Sequence, residues 1–568
     1  LTGGGFYTSN SRRGALMLML NDWHPDVREF ISVKQDLTKI TNANLSVCIS
    51  DRFMQAVRED AEWELVFPDT NHPRYDDEWD GDIDAWRAKG YPVIVWDRVP
   101  AREIWRLIYE CAWKSGEPGV CFLERYNKES NSWYYNRIVS TNPCGEQGLP
   151  PWGVCNLGAI NLSRFVTADR QVNWEHLKDV VRVAVRFLDN VIDATPYHFE
   201  ENRHQQLSER RIGLGTMGLA DMLIKLGVRY GSPESLELVE QVYRTITWEA
   251  YRTSVALARE KGPFPRFDRE KYLQGAFIQR LPEDIREGIR EHGIRNVTLI
   301  TQAPTGSTSL LAGTSSGIEP IFALKYIRKD RIGTHEVWHP LVKEWLEEHG
   351  GEGLEDLPDY FVTASDLTPM DHVRIQATIQ KYTDSSISKT VNAPNDHTLE
   401  DAATVYMQAY ELGCKGITYF REGSREGVLT KAEPATGKEP AAGQQPGGAQ
   451  LADDQAAQRG EAEAPFGRLR PVRRPATLQG ITHRKATPVG NLYLTLNVKD
   501  GHPFELFAQI GKAGSDVSAF TEAIARLVSL AFRCGIDPEE VASELVGIGG
   551  SRSVGFGSNR VRSVADAI

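Results

Sequence analysis

The stretch Asn142–Leu162, NPCGEQGLPPWGVCNLGAINL, decides the reading of this chain. It opens on an amide, a thiol and a carboxylate at alternate positions, Asn142, Cys144 and Glu146, in a loop that Pro143 and Gly145 keep out of regular helix. Extended backbone with a period of two would turn all three towards one side, so that one small substrate meets three reactive groups. A second thiol, Cys155, follows eleven residues after Cys144. From the residues alone, a structural cysteine beside a Pro-Gly turn accounts for Cys144 as well as a catalytic one does.

Outward from this loop, helical and strand-like segments alternate from residue 1 to about Gly427, which favours an α/β architecture. Asn173–Ala194 reads as a helix with Leu177, Val180, Ala184, Leu188 and Val191 on its core stripe. Val297–Thr301 (VTLIT) and Ile387–Val391 (ISKTV) read as short strands, each running into a loop of the kind that carries function in α/β folds. The first is followed by Pro304, Thr305, Gly306, Ser307 and Thr308, a segment that opens a helix and whose free N–H groups and hydroxyls suit a phosphate. It is not a Walker loop, since no G-x-x-x-x-G-K-[ST] occurs.

Near Thr430 the composition changes abruptly to Ala, Gly, Pro, Gln and Glu, too poor in large apolar residues to offset the entropy of ordering. We therefore expect three parts: 1–428, a flexible linker over 429–468, and a small α+β domain over 469–568. In the last part Leu492–Val498 and Pro503–Ile510 read as a hairpin turned by Lys499-Asp500-Gly501. Val517–Cys534 reads as a helix with Phe520, Ile524, Leu527 and Leu530 on one side.

The 568 residues are 41% hydrophobic and 25% charged, an ordinary globular mix that excludes fibrous and wholly disordered classes. A net charge of −12 gives no electrostatic case for binding nucleic acid or an anionic membrane, while a nucleotide as small substrate stays open. No run approaches the ~20 apolar residues of a membrane span, and the first residues hold no signal-peptide core, so we expect a cytoplasmic protein. The seven cysteines contain no C-x-x-C pair and fit a reducing compartment. A start at Leu1 in place of Met suggests a fragment.

Two motifs are set aside. His335-Glu336-Val337-Trp338-His339 matches the zinc pattern H-E-x-x-H, but Pro340 biases His339 away from the α conformation that keeps both imidazoles on one face; a turn before a helix at Pro340 is the plainer reading, and no metal site is assigned. Gly213-Leu214-Gly215-Thr216-Met217-Gly218 matches G-x-G-x-x-G, but NRHQQLSERR before it cannot be the buried parallel strand a dinucleotide site requires. Glycines that permit close packing are the better account.

The segment NPCGEQGLPPWGVCNLGAINL resembles the active-site region of ribonucleotide reductase large subunits, in particular the adenosylcobalamin-dependent class II enzymes. The resemblance continues in order through SRRGALMLMLNDWHPDVREFI, RRIGLGTMGLADML, TLITQAPTGSTSLLAGTSSGIEP and CKGITYFREGSREGVL, and so covers residues 1 to 428. It implies a ten-stranded α/β barrel whose central finger loop carries Cys144, and a C-terminal extension of the class II kind. Adenosylcobalamin would generate a thiyl radical on Cys144, which abstracts the 3′ hydrogen of a ribonucleoside diphosphate. Glu146 would act as general base on the 3′-OH, Asn142 would orient the ribose, and Cys155 would be one of two reducing thiols. Residues 304–308 would hold the substrate phosphates. Lys34, Gln35, Lys39 and Asn44 lie in KQDLTKITNAN, where the family has the loop that reads a deoxynucleotide effector; an ordinary polar loop explains them equally well. Thioredoxin or glutaredoxin as reductant and a homodimer complete the implied picture.

The chain also departs from the pattern. The partner of Cys155 is expected upstream of the region matching Leu1, and the cysteine-rich tail common in class II is missing after Cys534. Class I large subunits have two adjacent tyrosines in the segment matching GITYFRE; here Tyr419 stands between Thr418 and Phe420, which argues for class II. No class III glycyl-radical motif and no D-x-H-x-x-G occur. The alternatives are a class I large subunit needing a metal-radical partner, a non-catalytic nucleotide-binding regulator and, more distantly, a zinc hydrolase.

Overall fold

The structure, a computed structural model, describes residues 15–36, 39–40, 43–330, 333–424, 471–475, 477–510, 516–548, 554 and 561–568, with the backbone alone for 326–330, 333–337, 516 and 519. The expected linker, 429–468, lies outside the described residues. The chain divides into two compact units, residues 1–436 and 437–568.

In the first unit the strands are β1 Leu16–Asn21, β2 Ala43–Cys48, β3 Glu62–Pro68, β4 Val93–Pro100, β5 Gly119–Cys121, β6 Ser140–Thr141 and β7 Gly148–Leu149. There follow β8 Leu157–Asn161, β9 Gly213–Met217, β10 Lys325–Asp330, β11 Gly333–Trp338, β12 Thr390–Ala393 and β13 Gly416–Arg421. A five-stranded sheet runs β1-β2-β5-β13-β12, parallel except where β5 meets β13. Val47, Val120 and Ile417 from one face of this sheet pack on the helices Asp51–Glu59, Ala101–Ser115 and Leu399–Glu411. The parallel pair β8-β9 continues through single bridges, Leu214 to Ile300 and Gln302 to Ile387.

The α/β expectation holds, but among the described residues these sheets do not close into a ring of ten strands. One physical reason lies at 297–301, expected as a strand: the Asp384 carboxylate accepts the N–H groups of Leu299 (2.7 Å) and Ile300 (2.9 Å), so a side chain takes donors that a ladder would use. Likewise the ISKTV strand begins only at Thr390, preceded by the bridge at Ile387.

Asn173 caps the helix Trp174–Ala194 by accepting from the His176 N–H (3.2 Å). Its buried stripe is Leu177, Val181, Val185, Leu188 and Ile192; Val180, Ala184 and Val191 flank it half-buried, a rotation of the expected stripe towards the helix Pro233–Lys261. Burial of each large apolar side chain contributes roughly 1.5–3 kcal/mol. The G-x-G-x-x-G segment is strand β9, and a Cβ at Gly215 would lie 2.4 Å from the Thr301 carbonyl oxygen, so close packing is its role. The H-E-x-x-H residues fall on β11 and not on the expected turn, with His339 capping the helix Pro340–His349. Among the described residues no group of three metal-ligating side chains occurs, and no helix is long and apolar enough to cross a membrane.

In the second unit β14 Gln479–Thr487, β15 Gly490–Lys499 and β16 His502–Ile510 form an antiparallel sheet, and Asp500 (φ 52°) and Gly501 (φ 82°) make the tight turn. Leu492, Leu506, Ala508 and Ile510 pack on Ala525 and Val528 of the helix Asp516–Arg533. Of the side expected to be apolar, Ile524 is half-buried against this core, but Phe520, Leu527 and Leu530 are exposed, because the three-stranded sheet covers one narrow face.

Candidate active site

The reactive loop is the tip of a short hairpin. Strands β6 and β7 pair Ser140 with Leu149 and Thr141 with Gly148, leaving residues 142–147 to turn. The Asn142 N–H donates to the Gln147 carbonyl (3.2 Å), the Gln147 N–H to Asn142 Oδ1 (3.0 Å), and the Gly145 N–H to the Asn142 carbonyl (2.9 Å). Gly145 sits at φ 81°, where a side chain is strained. The tip is thus a tight turn and not the extended backbone expected from its alternation. The turn separates the three reactive types: Cys144 is exposed, Asn142 half-buried, and Glu146 2% exposed.

Five residues hold the hairpin. Asn44 Nδ2 donates to the Pro143 carbonyl (2.7 Å), and Met19 Sδ accepts from the Thr141 N–H (3.3 Å). The Glu146 carbonyl accepts from the Ser386 N–H (2.8 Å) and Thr301 Oγ1 (2.7 Å). The Tyr126 hydroxyl accepts from the Gly148 N–H (2.6 Å), so close that a Cβ at 148 would meet Tyr126 Cζ at 2.4 Å.

The electrostatics favour neutral groups. Although both residues reach solvent, the atoms packed around each sulfur desolvate it: reinforced by Glu146, this pushes the Cys144 thiol up to about 11, and with Glu146 it does the same to Cys155 against the opposing charge of Arg211. Both sulfurs therefore keep their hydrogens at neutral pH, which suits hydrogen-atom transfer better than nucleophilic attack. Burial also raises the Glu146 carboxyl, against the Asn142 amide, and Glu146 Oε2 is buried with no hydrogen-bond partner among the described residues. A buried acid with a free oxygen and a raised pKa takes a proton more readily than an ordinary carboxylate.

Cys144, Pro143 and Gly145 form one wall of a cavity of about 380 Å³. Asn44, Cys121, Lys389, Lys415 and Thr418–Phe420 line the rest. Tyr419 directs its hydroxyl to His397 Nδ1 (2.7 Å). Residues 304–308 are not among the cavity's lining. Thr305 (φ 53°) precedes the helix Gly306–Ala312, its Oγ1 accepts the Gly317 N–H (2.8 Å), and Gly306, Ser307 and Thr308 are exposed.

Of the four residues in the expected effector loop, Asn44 reaches the site. Lys34 is buried, bonded to the Ala43 carbonyl and paired with Glu117 (2.6 Å). Gln35 Nε2 donates to Ser115 Oγ (3.0 Å), and Lys39 faces Asp36 at the surface (3.8 Å).

Sequence reasoning passed over two buried lysines of the cavity wall. Lys389 Nζ bonds Glu319, His372 Nδ1 (2.8 Å) and the Thr390 carbonyl (2.8 Å), and burial, with the Lys389 charge, brings His372 down to about 2. Lys415 is the second. The available signal was a lysine inside each otherwise apolar strand-like segment, ISKTV and CKGIT.

The family model for the ribonucleotide reductase barrel domain matches residues 6–420, and that for the TSCPD domain matches 467–568. A vitamin B12-dependent ribonucleoside-diphosphate reductase of Thermoplasma acidophilum is 39% identical over 449 residues, covering 75% of this chain and 54% of the relative. One of Mycobacterium tuberculosis is 37% identical over 444 residues, covering 74% and 58%. The ribonucleoside-diphosphate reductase large subunit of Caenorhabditis elegans is 31% identical over 361 residues, covering 60% and 46%. The chain spans about half the length of these relatives.

Proposed function

We propose, since the chain belongs to the ribonucleotide reductase family through its barrel domain, that it reduces ribonucleoside diphosphates to 2′-deoxyribonucleoside diphosphates for DNA synthesis and repair. The observation that carries this reading is the hairpin tip: a protonated thiol, Cys144, on the wall of the cavity, and two residues on a buried carboxyl, Glu146, whose Oε2 has no hydrogen-bond partner among the described residues. Cys144, as thiyl, takes the 3′ hydrogen of the ribose and later returns it. Asn142, whose Oδ1 is already used within the turn, keeps its Nδ2 hydrogens for Glu146 and the ribose. Glu146 takes the 3′-OH proton, an effect worth ~10² to 10⁴ in rate, and the 2′-OH leaves as water. Cys155, coupled to Glu146 and exposed, supplies reducing equivalents together with a second thiol.

Adenosylcobalamin is the cofactor we assign, and it would supply the radical that converts Cys144 to a thiyl. The cavity fits this assignment in one respect: Thr418 precedes Tyr419, so no adjacent tyrosine pair reaches Cys144 from the β13 wall. A ten-stranded α/β barrel organisation over 1–428, N-terminally truncated, the 429–468 linker and the 469–568 domain belong to the same reading. So do phosphate binding at 304–308, a deoxynucleotide effector read near Lys34–Asn44, thioredoxin or glutaredoxin as reductant, a homodimer and a cytoplasmic site of action.

Anaerobic reduction of CDP by the protein as the cell makes it, with dithiothreitol, tests the proposal. We expect dCDP to form only with adenosylcobalamin and without a second subunit. A requirement for a metal-bearing subunit, or nucleotide binding with no reduction under either condition, would overturn it.

A further inference from the structure

Lys415 stands directly before β13, is 0% exposed and takes part in none of the steps above. Its ammonium donates to the carbonyls of Asp384 (2.8 Å) and Ser385 (3.0 Å), lies 3.5 Å from the Glu129 carboxylate, and sits 4.9 Å from the centre of the Tyr126 ring. These partners lead to two of the hairpin's supports. Ser386, next in the chain, donates its N–H to the Glu146 carbonyl (2.8 Å), and the Tyr126 hydroxyl accepts from the Gly148 N–H (2.6 Å). One buried cation thus bridges both anchors of residues 146–148. Its three hydrogens face three acceptors, which leaves none for a substrate although the side chain lines the cavity.

We propose that Lys415 is a positioning residue for Glu146: in its charged form it ties the 384–386 segment to Tyr126 and so fixes the backbone of residues 146–148 from which the carboxyl projects, a role that rests on the reading of Glu146 as base. The groups around it set how long that charge persists. Glu129 and Asp384 favour the ammonium, while Arg280, itself paired with Glu129 (3.2 Å), opposes it. Burial outweighs them and brings Lys415 down to about 8. A neutral amine keeps neither the pairing with Glu129 nor the attraction of the Tyr126 ring, so positioning weakens on the alkaline side.

The test compares wild type, K415R and K415M in kcat and KM for CDP from pH 6.5 to 9.5, and in the rate at which iodoacetamide labels Cys144 at pH 7. In wild type we expect kcat to fall above about pH 8; K415R, always charged, loses that fall. K415M lowers kcat about tenfold at pH 7 with KM within about twofold, since a hydrogen-bonded charge is lost away from the substrate. Labelling of Cys144 speeds up several-fold in K415M, because a displaced Glu146 no longer holds the thiol up. Where K415M does not fold, Tyr126→Phe, which deletes only the hydroxyl at Gly148, carries the same labelling comparison. An unchanged alkaline fall in K415R, or unchanged Cys144 labelling in a folded variant, overturns the proposal. Failure of wild type to reduce CDP would sink the proposed function instead, while the labelling still decides the role of Lys415.

Discussion

Asn44 donates its side-chain amide to the Pro143 carbonyl at 2.7 Å, so strand β2 is bonded directly to the residue before Cys144. A loop expected to serve effector recognition thereby touches the reactive hairpin. Replacing Asn44 by Ala removes one hydrogen bond worth about 1 kcal/mol. We expect kcat/KM for CDP to fall about fivefold and amide exchange of 143–146 to quicken. Lys39→Ala, at a surface residue paired with Asp36 at 3.8 Å, is the control and should change neither. Equal effects of the two variants would remove the link between β2 and the hairpin.

Gly148 is required by Tyr126. A methyl at 148 would lie 2.4 Å from Tyr126 Cζ in a fully buried setting, so Gly148→Ala overpacks the hairpin base. The expected cost is ~1–3 kcal/mol, a Tm lower by a few degrees. Combining it with Tyr126→Ala should give less than the sum of the two single losses, since the clash is gone. Strict additivity in thermal melts would contradict the contact.

Asp22 gives stability a pH dependence. It is buried, Oδ2 accepts the Ser50 N–H (2.6 Å), and Oδ1 has no partner among the described residues. Burial pushes its carboxyl from 3.8 to about 7, against Ser50 and Arg52. The folded pKa is the higher one, so this contribution is complete below about pH 4 and is lost as the pH rises through 7. The slope approaches ~1.4 kcal/mol per pH unit. Asp22→Asn keeps an acceptor for Ser50 and removes the titration, so urea melts from pH 5 to 8 should show a flatter profile and a more stable variant at pH 8. Parallel profiles for the two proteins would exclude Asp22 as the source.

The residues 335–339 should bind no zinc. His335 lies on strand β11 while His339 is the N-cap of the helix Pro340–His349, so the two are not one helical turn apart as the zinc pattern requires. Elemental analysis of the purified protein is expected to find no stoichiometric zinc, and His335→Ala to leave metal content and melting unchanged. One zinc per chain lost in that variant would reverse this conclusion.

What could be read from the sequence followed local rules. The helix Trp174–Ala194 announced itself by its spacing, and the Asp500-Gly501 turn by its residue types. Cys144, Glu146 and Asn142 stood out as reactive types crowded into one loop. What could not be read depends on partners distant in sequence. NRHQQLSERR is no buried strand, as expected, and most of it is the helix Glu200–Glu209; its polarity does not reveal that Arg210 and Arg211 are buried, neutralised by Asp189 (2.8 Å) and Glu209 (3.0 Å). The hairpin tip folds back because Asn142 spends its Oδ1 on Gln147, a choice that a period-two pattern does not reveal. Lys415 draws its meaning from Glu129, Asp384 and Tyr126, none of them its neighbour in the chain.

The central claim is that the Cys144 sulfur removes the 3′ hydrogen of a ribonucleotide. The most direct measurement is tritium release from [3′-³H]CDP under anaerobic conditions with adenosylcobalamin, comparing wild type with Cys144→Ser. Release by wild type and none by the variant is the expected result; equal release by both would place the hydrogen abstraction on another group and contradict the account.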